Sequence, residues 1–265
     1  MEQVRLAIHG AAGRMGRRLI ALGHADADLH LVAAIDRRDH PDLGQDAGVL
    51  AGIAAIDLPL ASSLDFNADV VIDFSLPDSS VAICRDCVSS RRPLVLATTG
   101  FTDEQSAEID AAAQQIPLVR APNMSMAVNL TMKLATIAGQ TLQDAPGGAD
   151  VEIIERHHRF KEDAPSGTAL KFGELIAEAM GQTEHTHGRH GQTGQRPRHE
   201  IGYHALRVGD NPGEHSIVFG LLGETIELTV RATNRDCYAL GALQAAKFLV
   251  NQGPGLYSMY DVLGL

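Results

Sequence analysis

Groups that can move protons and hold anions are concentrated between Glu152 and Leu170. The segment reads Glu152-Ile153-Ile154-Glu155-Arg156-His157-His158-Arg159-Phe160-Lys161, then Glu162-Asp163-Ala164-Pro165-Ser166-Gly167-Thr168-Ala169-Leu170. A strand-like stretch ends near His157, and the loop that follows holds two histidines, an arginine and a lysine. It stops at Ser166-Gly167-Thr168, where a helix begins. Hydroxyls and N–H groups at a helix N-terminus attract anions, and preceding cations strengthen that field. Histidine and lysine are the usual proton donors near neutral pH. The pattern suits protonation of an anionic substrate. A surface histidine pair followed by an ordinary helix cap fits the same residues.

A second constellation lies at the start of the chain. Val4–Ile8 is short and apolar, and His9-Gly10-Ala11-Ala12-Gly13-Arg14-Met15-Gly16 follows it. A glycine-rich turn between strand and helix lets backbone N–H groups approach a pyrophosphate. Ala12 stands where the common fingerprint has its second glycine. Asp36, twenty residues after Gly16, sits at the expected distance for an acid that binds ribose hydroxyls. Arg37 and Arg38 follow it. An acid favours NAD, and a neighbouring arginine accommodates the 2′-phosphate of NADP, so the sequence predicts tolerance of either cofactor. Two solvated arginines in a loop are the bland alternative.

These groups need a scaffold. Strand-like segments at Val4–Ile8, Leu31–Ile35, Asp69–Ser75, Leu94–Ala97 and Pro117–Val119 alternate with helical ones at Arg14–Leu22, Asp78–Ser89 and Thr102–Gln115. Thr102 with Gln105 has the spacing of a capping box. Such alternation predicts an α/β fold with a Rossmann-type, parallel, doubly wound sheet. After Ala121 the pattern changes. Ser125–Gly139 and Gly167–Met180 read as helices and Val151–Glu155 as a strand. Residues 181–198 read as a mobile, polar, His- and Gly-rich loop. Glu200–Arg207, Ser216–Leu222 and Thr225–Arg231 are strands without intervening helices, which predicts a second α+β domain with a mixed sheet. Tyr238–Val250 is a last helix, and the end is loop with one short helical turn.

With 265 residues, 45% of them hydrophobic and 21% charged, the chain has ordinary globular composition and enough length for two modest domains. No apolar run is long enough to span a membrane, and the start lacks the pattern of a signal peptide, so a cytoplasmic protein is expected. Three cysteines make no disulfide framework. A formal charge of −11 argues against nucleic acid as a partner. An anionic substrate would then need local attracting charges. Cys84 and Cys87 have C-x-x-C spacing but fall inside a helix without a second pair, which favours small buried apolar residues over redox or metal chemistry. His185, His187, His190, His199 and His204 match no closed zinc site, and no metal is expected. Arg196 and Arg235 are candidates to attract substrate carboxylates or cofactor phosphates.

Together these motifs resemble the 4-hydroxy-tetrahydrodipicolinate (dihydrodipicolinate) reductase family of bacterial lysine and diaminopimelate biosynthesis. E-x-x-E-x-H-H-x-x-K-x-D-A-P-S-G-T-A-L over Glu152–Leu170 is the most specific part. Gly10–Gly16 resembles the family's G-x-x-G-R-M-G turn, Ala97–Gly100 its G-T-T-G loop, and Ala121–Ser125 its hinge motif. Ala97 replaces the first glycine of that loop, and Ala127 stands where the family often has glycine. The resemblance implies a catalytic His157, a proton-donating Lys161, and substrate binding by His158, Gly167 and Thr168, with Ser166 beside them. It places the cofactor, NADH or NADPH, on Gly10, Ala11, Ala12, Gly13, Arg14, Met15, Asp36, Arg37, Ala97, Thr98, Thr99, Ala121, Pro122, Asn123 and Met124.

The expected domains are 1–122, dinucleotide-binding with 237–265 returning to it, and 123–236, for substrate binding and oligomerisation. The ligand is expected in the cleft between them. The resemblance implies a homotetramer acting on a small cyclic dicarboxylate, with neither nucleic acid nor membrane as partner. Another two-domain dehydrogenase, for an amino acid or semialdehyde, and a non-catalytic NAD(H) sensor are the competing readings. Fold alone does not separate them. The proton donors around His157 and Lys161 favour the reductase, because a sensor needs none.

Overall fold

The computed structural model of the chain describes residues 3–63 and 67–265. Residues 1, 2 and 64–66, which belong to the expected first domain, lie outside the described residues. In chain order the elements are β1 (Val4–His9), α1 (Arg14–Ala25), β2 (Leu29–Ile35), α2 (Ala47–Leu50), β3 (Leu60–Ala61), β4 (Val70–Asp73), α3 (Pro77–Ser89), β5 (Leu94–Leu96), α4 (Asp103–Ala113) and β6 (Pro117–Arg120). There follow α5 (Met126–Leu142), β7 (Asp150–His157), α6 (Gly167–Met180), β8 (Glu184–His187), β9 (Glu200–Arg207), β10 (Gly213–Leu221) and β11 (Glu224–Ala232). The chain ends with α7 (Asp236–Leu249), β12 (Gly255–Tyr257) and α8 (Met259–Leu263). It divides into two compact units: Met1–Met126 with Arg235–Leu265, and Ala127–Asn234.

The first unit is built on a seven-stranded sheet in the order β12-β6-β5-β4-β1-β2-β3. Every neighbouring pair is parallel. Side chains of α1 and α7, among them Leu19, Ala242 and Leu249, share one apolar cluster with Leu6, Ile8 and Ile72. Cys84 of α3 and Ile109 of α4 share another with Ala7, Val71 and Leu94. The central strands are therefore covered on both sides, which is why they read as unbroken apolar runs. The chain leaves β1 in one direction towards β2, and β4 lies on its other side. That reversal opens a crevice at the carboxyl ends of β1 and β4. Thr102 caps α4 as its spacing predicts: its side chain accepts from the Gln105 N–H, and the Gln105 side chain returns a bond to the Thr102 N–H. The short α2, β3 and β12 carry too few residues for a periodic signal.

The second unit holds a mixed sheet in the order β11-β10-β7-β9-β8. β10 runs antiparallel to β11 and β7, whereas β7 with β9 and β9 with β8 are parallel. Along β10, Gly213, His215, Ile217 and Phe219 are buried and the residues between them are not, the two-residue period of a half-covered strand. α6 turns Ala169, Phe172, Gly173 and Ile176 inward.

The segment expected to be a mobile loop between residues 181 and 198 is tied down. Glu184–His187 forms an edge strand beside β9. Arg189 bonds Glu152 and Glu200, and Arg196 bonds Asp150, Glu152 and the Val151 and Glu200 carbonyls. Burial would raise the Glu152 carboxyl, but bonds from Arg189, His204 and Arg196 outweigh it and hold it at about 2. Arg196 is thus a sheet-edge clamp rather than an attractor of ligand carboxylates. Polar composition misled here because Asp150 and Glu152, which hold both arginines to β7, lie 37 to 46 residues away in sequence.

The return of α7 to the first unit depends on a close approach at Gly241. A Cβ at this position would lie 1.8 Å from the Met124 carbonyl oxygen. We expect Gly241→Ala to lower the unfolding free energy by about 1–3 kcal/mol, the usual cost of overpacking. Gly253→Ala, whose added methyl meets nothing within 4 Å, should stay within about 0.5 kcal/mol of the parent. Urea denaturation of both variants checks this.

Candidate active site

The first unit carries a cleft of about 720 Å³ at the carboxyl end of its sheet. Its walls include Gly10, Ala12, Gly13, Arg14 and Met15 from the turn after β1, Asp36 and Arg37 after β2, and Ala97, Thr98 and Thr99 after β5. Two glycines are required sterically. Gly10 has φ +76°, and a Cβ there would meet the Phe74 carbonyl oxygen at 2.4 Å; one at Gly16 would meet the Gly10 carbonyl oxygen at 2.1 Å. α1 starts at Gly13, which has no side chain to cap it, so the positive end of the helix is left for a ligand. Asp36 accepts the N–H groups of Ala12 and Arg37, both at 2.9 Å, and so locks the turn to the end of β2. Arg37 lies exposed with Nε 3.6 Å from Asp39. A compact backbone cradle, an open helix start and a fixed carboxylate fit the pyrophosphate and ribose of a nicotinamide dinucleotide.

Not every expected cofactor residue reaches this cleft. Ala11 is fully buried in the turn, and Ala121 and Met124 are buried in the core. Asn123 accepts the Ser125 N–H at 2.8 Å, and neither it nor Pro122 is on the walls. Cys84 and Cys87 are buried in α3, and burial pushes the Cys84 thiol up to about 11, against thiolate chemistry. Among the described residues no group of three or more His, Cys, Asp or Glu side chains could hold a metal ion. No helix among them is long and apolar enough to cross a membrane.

In the second unit the end of β7 presents the other constellation. His157 is buried, and its Nδ1 lies 2.6 Å from Glu155 Oε2. Glu155, 1% exposed, also accepts the Ser166 N–H at 3.1 Å and two Arg207 nitrogens at 2.8 and 2.7 Å. Burial would raise its carboxyl; the bonds from Arg207 and His157 prevail, and it stays charged below the usual range. Burial lowers the His157 pKa, the Glu155 charge opposes that, and the nearby Lys161 and Arg207 charges add to the lowering. The His157 ring is therefore mostly neutral at pH 7. With a carboxylate on Nδ1, that nitrogen carries the proton and Nε2 keeps a lone pair.

The neighbouring groups are arranged around this pair. Lys161 Nζ is 2.8 Å from Asp163 Oδ1, and its N–H bonds the His158 carbonyl. The Val208 N–H donates to the His157 carbonyl and the Arg159 N–H to the Gly209 carbonyl, which pins the loop to the end of β9. His158 Nδ1 is buried with no hydrogen-bond partner among the described residues, as a group awaiting a ligand would be. Ser166 caps α6 by accepting the Ala169 N–H at 3.1 Å, and its Oγ is 3.0 Å from His215 Nε2. It therefore shapes the helix start, whereas Gly167 is exposed and Thr168 half-buried on the first turn. Burial pushes His215 down to about 4, and its ring meets that of His157 edge-on at 5.2 Å.

Three residues here went unassigned by sequence reasoning: Glu155, Arg207 and His215. His215 had a signal, as a polar residue at an inward position of an alternating strand. Arg207 had none, because it meets Glu155 across 52 residues. In the first unit His9 and Asp73 were passed over in the same way.

A parallel sheet with a glycine turn and a terminal acid, in a chain whose second unit carries a loop of histidines and lysine, fits a nicotinamide-dependent oxidoreductase of Rossmann type. Residues 4–124 and 127–263 match the N-terminal and C-terminal halves of the dihydrodipicolinate reductase family, and the chain belongs to that family. A 4-hydroxy-tetrahydrodipicolinate reductase of Rhodopirellula baltica is 60% identical over 99% of this chain and 96% of its own. Another, from Alkalilimnicola ehrlichii, is 48% identical over 98% and 99%. The structure of dipicolinate-bound dihydrodipicolinate reductase from Paenisporosarcina sp. TG-14 is similar with a TM-score of 0.77 at 27% identity, over 98% of each chain.

The Glu155 carboxylate raises the His157 pKa against burial. Replacing Glu155 by Gln should therefore move the His157 titration midpoint, followed by NMR, to lower pH. A midpoint that stays in place or rises would show that the carboxylate does not set the protonation of the ring.

Proposed function

We propose that the chain reduces 4-hydroxy-tetrahydrodipicolinate to tetrahydrodipicolinate with NADH or NADPH, in diaminopimelate and lysine biosynthesis. The observation that supports this most is the loop joining His157 and Lys161 to the α6 start at Gly167 and Thr168. It gathers cations, a proton-transfer pair and a helix N-terminus in a chain of net charge −11. A cyclic dicarboxylate needs all three. Consumption of NADH upon adding pyruvate, aspartate semialdehyde and the preceding synthase tests the reading directly.

The bound nicotinamide would supply a hydride to C4 of the substrate ring, whose hydroxyl leaves as water to give the conjugated imine that is reduced. Reduction of a conjugated imine leaves negative charge that a proton must quench. The Lys161 ammonium donates that proton and offsets the charge as it forms. His157, held in one tautomer by Glu155, exchanges protons through Nε2. Gly167, Thr168 and His158 hold the carboxylates, with Ser166 setting the helix start that they share. The first unit binds the dinucleotide through the turn from Gly10 to Met15, through Asp36 and Arg37, and through Ala97 to Thr99. The resemblance adds the segment from Ala121 to Met124, which lies off the cleft walls. We further propose that the second unit joins the subunits of a homotetramer. Its sheet exposes Ile154, Leu206 and Ile226, which another subunit would cover. A cytoplasmic location suits a biosynthetic enzyme of this kind.

Replacing either His157 by Gln or Lys161 by Ala should lower kcat roughly 10²–10⁴-fold, the usual contribution of one general acid. NADH affinity, measured by fluorescence, should barely change. A His157→Gln enzyme with normal kcat and raised KM would demote His157 to binding.

Asp36 takes the adenosine ribose hydroxyls and Arg37 the 2′-phosphate. Arg37→Ala should then weaken NADPH more than NADH by about 1.5–3 kcal/mol, the value of a charge-assisted bond. Titration with both cofactors checks this, and equal losses would remove Arg37 from the phosphate site.

A further inference from the structure

At the carboxyl end of the sheet, where β1 and β4 lie side by side, His9 and Asp73 form a buried pair that none of the roles above uses. Asp73 is completely buried and His9 nearly so. His9 Nδ1 lies 2.6 Å from Asp73 Oδ1. The same carboxylate accepts the hydroxyls of Ser75 at 2.6 Å, Ser80 at 2.5 Å and Thr98 at 2.8 Å. A buried carboxylate surrounded by four donors orients them all, so the Nδ1 proton of His9 points at Asp73. The other ring nitrogen, Nε2, lies 3.4 Å from Ser79 Oγ, too long for a strong bond. His9 and Ser79 are both on the wall of the cleft.

We propose that His9 is a further cofactor-binding residue, whose Nε2 accepts a hydrogen bond from the ribose on the nicotinamide side of the dinucleotide. This rests on the reading that the cleft binds a nicotinamide dinucleotide. Two arguments select that ribose. The first is chemical: with its Nδ1 proton committed to Asp73, the ring turns Nε2 towards the cleft, where a lone pair takes a donor. Ribose hydroxyls donate; diphosphate oxygens only accept. The second is positional. Strands run β5-β4-β1-β2 across the sheet, with Asp36 at the end of β2 and the glycine turn at the end of β1. A dinucleotide with its adenosine ribose on Asp36 and its diphosphate on the turn extends towards the ends of β4 and β5. His9, Ser79 and Thr98 wait there. Asp73 acts through His9 by fixing its tautomer and ring orientation, a positioning role.

Dinucleotide fragments separate the contacts. ADP carries the diphosphate without the second ribose, ADP-ribose carries both, and NADH adds the nicotinamide. Binding of each to the full chain is measured by calorimetry, with NADH also followed by fluorescence. His9→Ala should weaken NADH and ADP-ribose about tenfold, the value of one hydrogen bond at roughly 1.4 kcal/mol, and leave ADP within about twofold. His9→Asn, which can still donate to Asp73 and offer an oxygen, should recover part of the loss. Should the alanine variant fail to fold with Asp73 left unpaired, the wild-type chain still gives an answer. The imidazole nitrogen resonances of His9 should move when ADP-ribose is added and stay put with ADP. Equal losses or equal shifts with ADP and ADP-ribose would overturn the proposal in favour of an imidazolium on the diphosphate. Tight binding of all three ligands with no effect at His9 would reduce the pair to a structural one. Failure of the wild-type chain to bind any of them would instead sink the dinucleotide reading itself.

Discussion

A carboxylate taken into a protein interior must be paired and hydrogen-bonded or give up its charge, and the second unit is organised around one that keeps it. Glu155 is 1% exposed, yet every lone pair it turns inward is answered. Arg207 reaches it from β9 with two nitrogens, Ser166 from the start of α6 with its N–H, and His157 from its own strand. One side chain thereby ties β7 to β9 and to the start of α6 and holds the His157 ring at Nδ1. Removing any partner would leave charge or N–H groups stranded, so the geometry of the loop after β7 and the stability of the sheet are one problem. This is also why Ser166 belongs to the frame: its N–H serves Glu155, while its hydroxyl caps α6 and meets His215.

The first unit solves a similar problem at the carboxyl end of its own sheet. Asp36 and Asp73 stand at the ends of β2 and β4, each satisfied by local donors: backbone N–H groups for Asp36, three hydroxyls and an imidazole for Asp73. A parallel sheet delivers its strand ends to one rim, and a rim carries the polar groups that the apolar strands cannot. Preorganisation follows, since a carboxylate already bonded in place does not have to be ordered when a ligand arrives.

Legibility in the sequence followed the range of the interactions. The parallel sheet was readable because β4 and β5 are buried on both faces and so are continuously apolar. The cap of α4 was readable because Thr102 and Gln105 meet within one turn. α6 and β9 were readable to the residue for similar local reasons. His157, Lys161, Gly167 and Thr168 sit in one contiguous motif and stood out together. What escaped depended on distant partners. Arg207 and His215 owe their roles to Glu155 and Ser166, 52 and 49 residues away. The strand at Glu184–His187 has no apolar face to announce it, because ion pairs to Glu152 and Glu200 secure the segment that follows. Edge strands held by charge rather than by burial leave no periodic trace.

The same pairing resolves the conflict between a chain of net charge −11 and anionic ligands. Formal charge counts each carboxylate once, but the field at a site depends on which carboxylates are neutralised close by. Glu152 and Glu200 face Arg189 and Arg196, Glu155 faces Arg207, and Asp69 faces Arg5. Each such pair is nearly neutral from a few ångströms away. Exposed acids such as Asp103 and Glu224 are screened by water and salt within about 8 Å at physiological ionic strength. The starts of α1 and α6, by contrast, carry their partial positive charge where the glycine turn and the His157–Lys161 loop direct it. Bulk charge repels non-specific anions, while locally paired carboxylates and the uncapped start of α1 leave room for the specific ones.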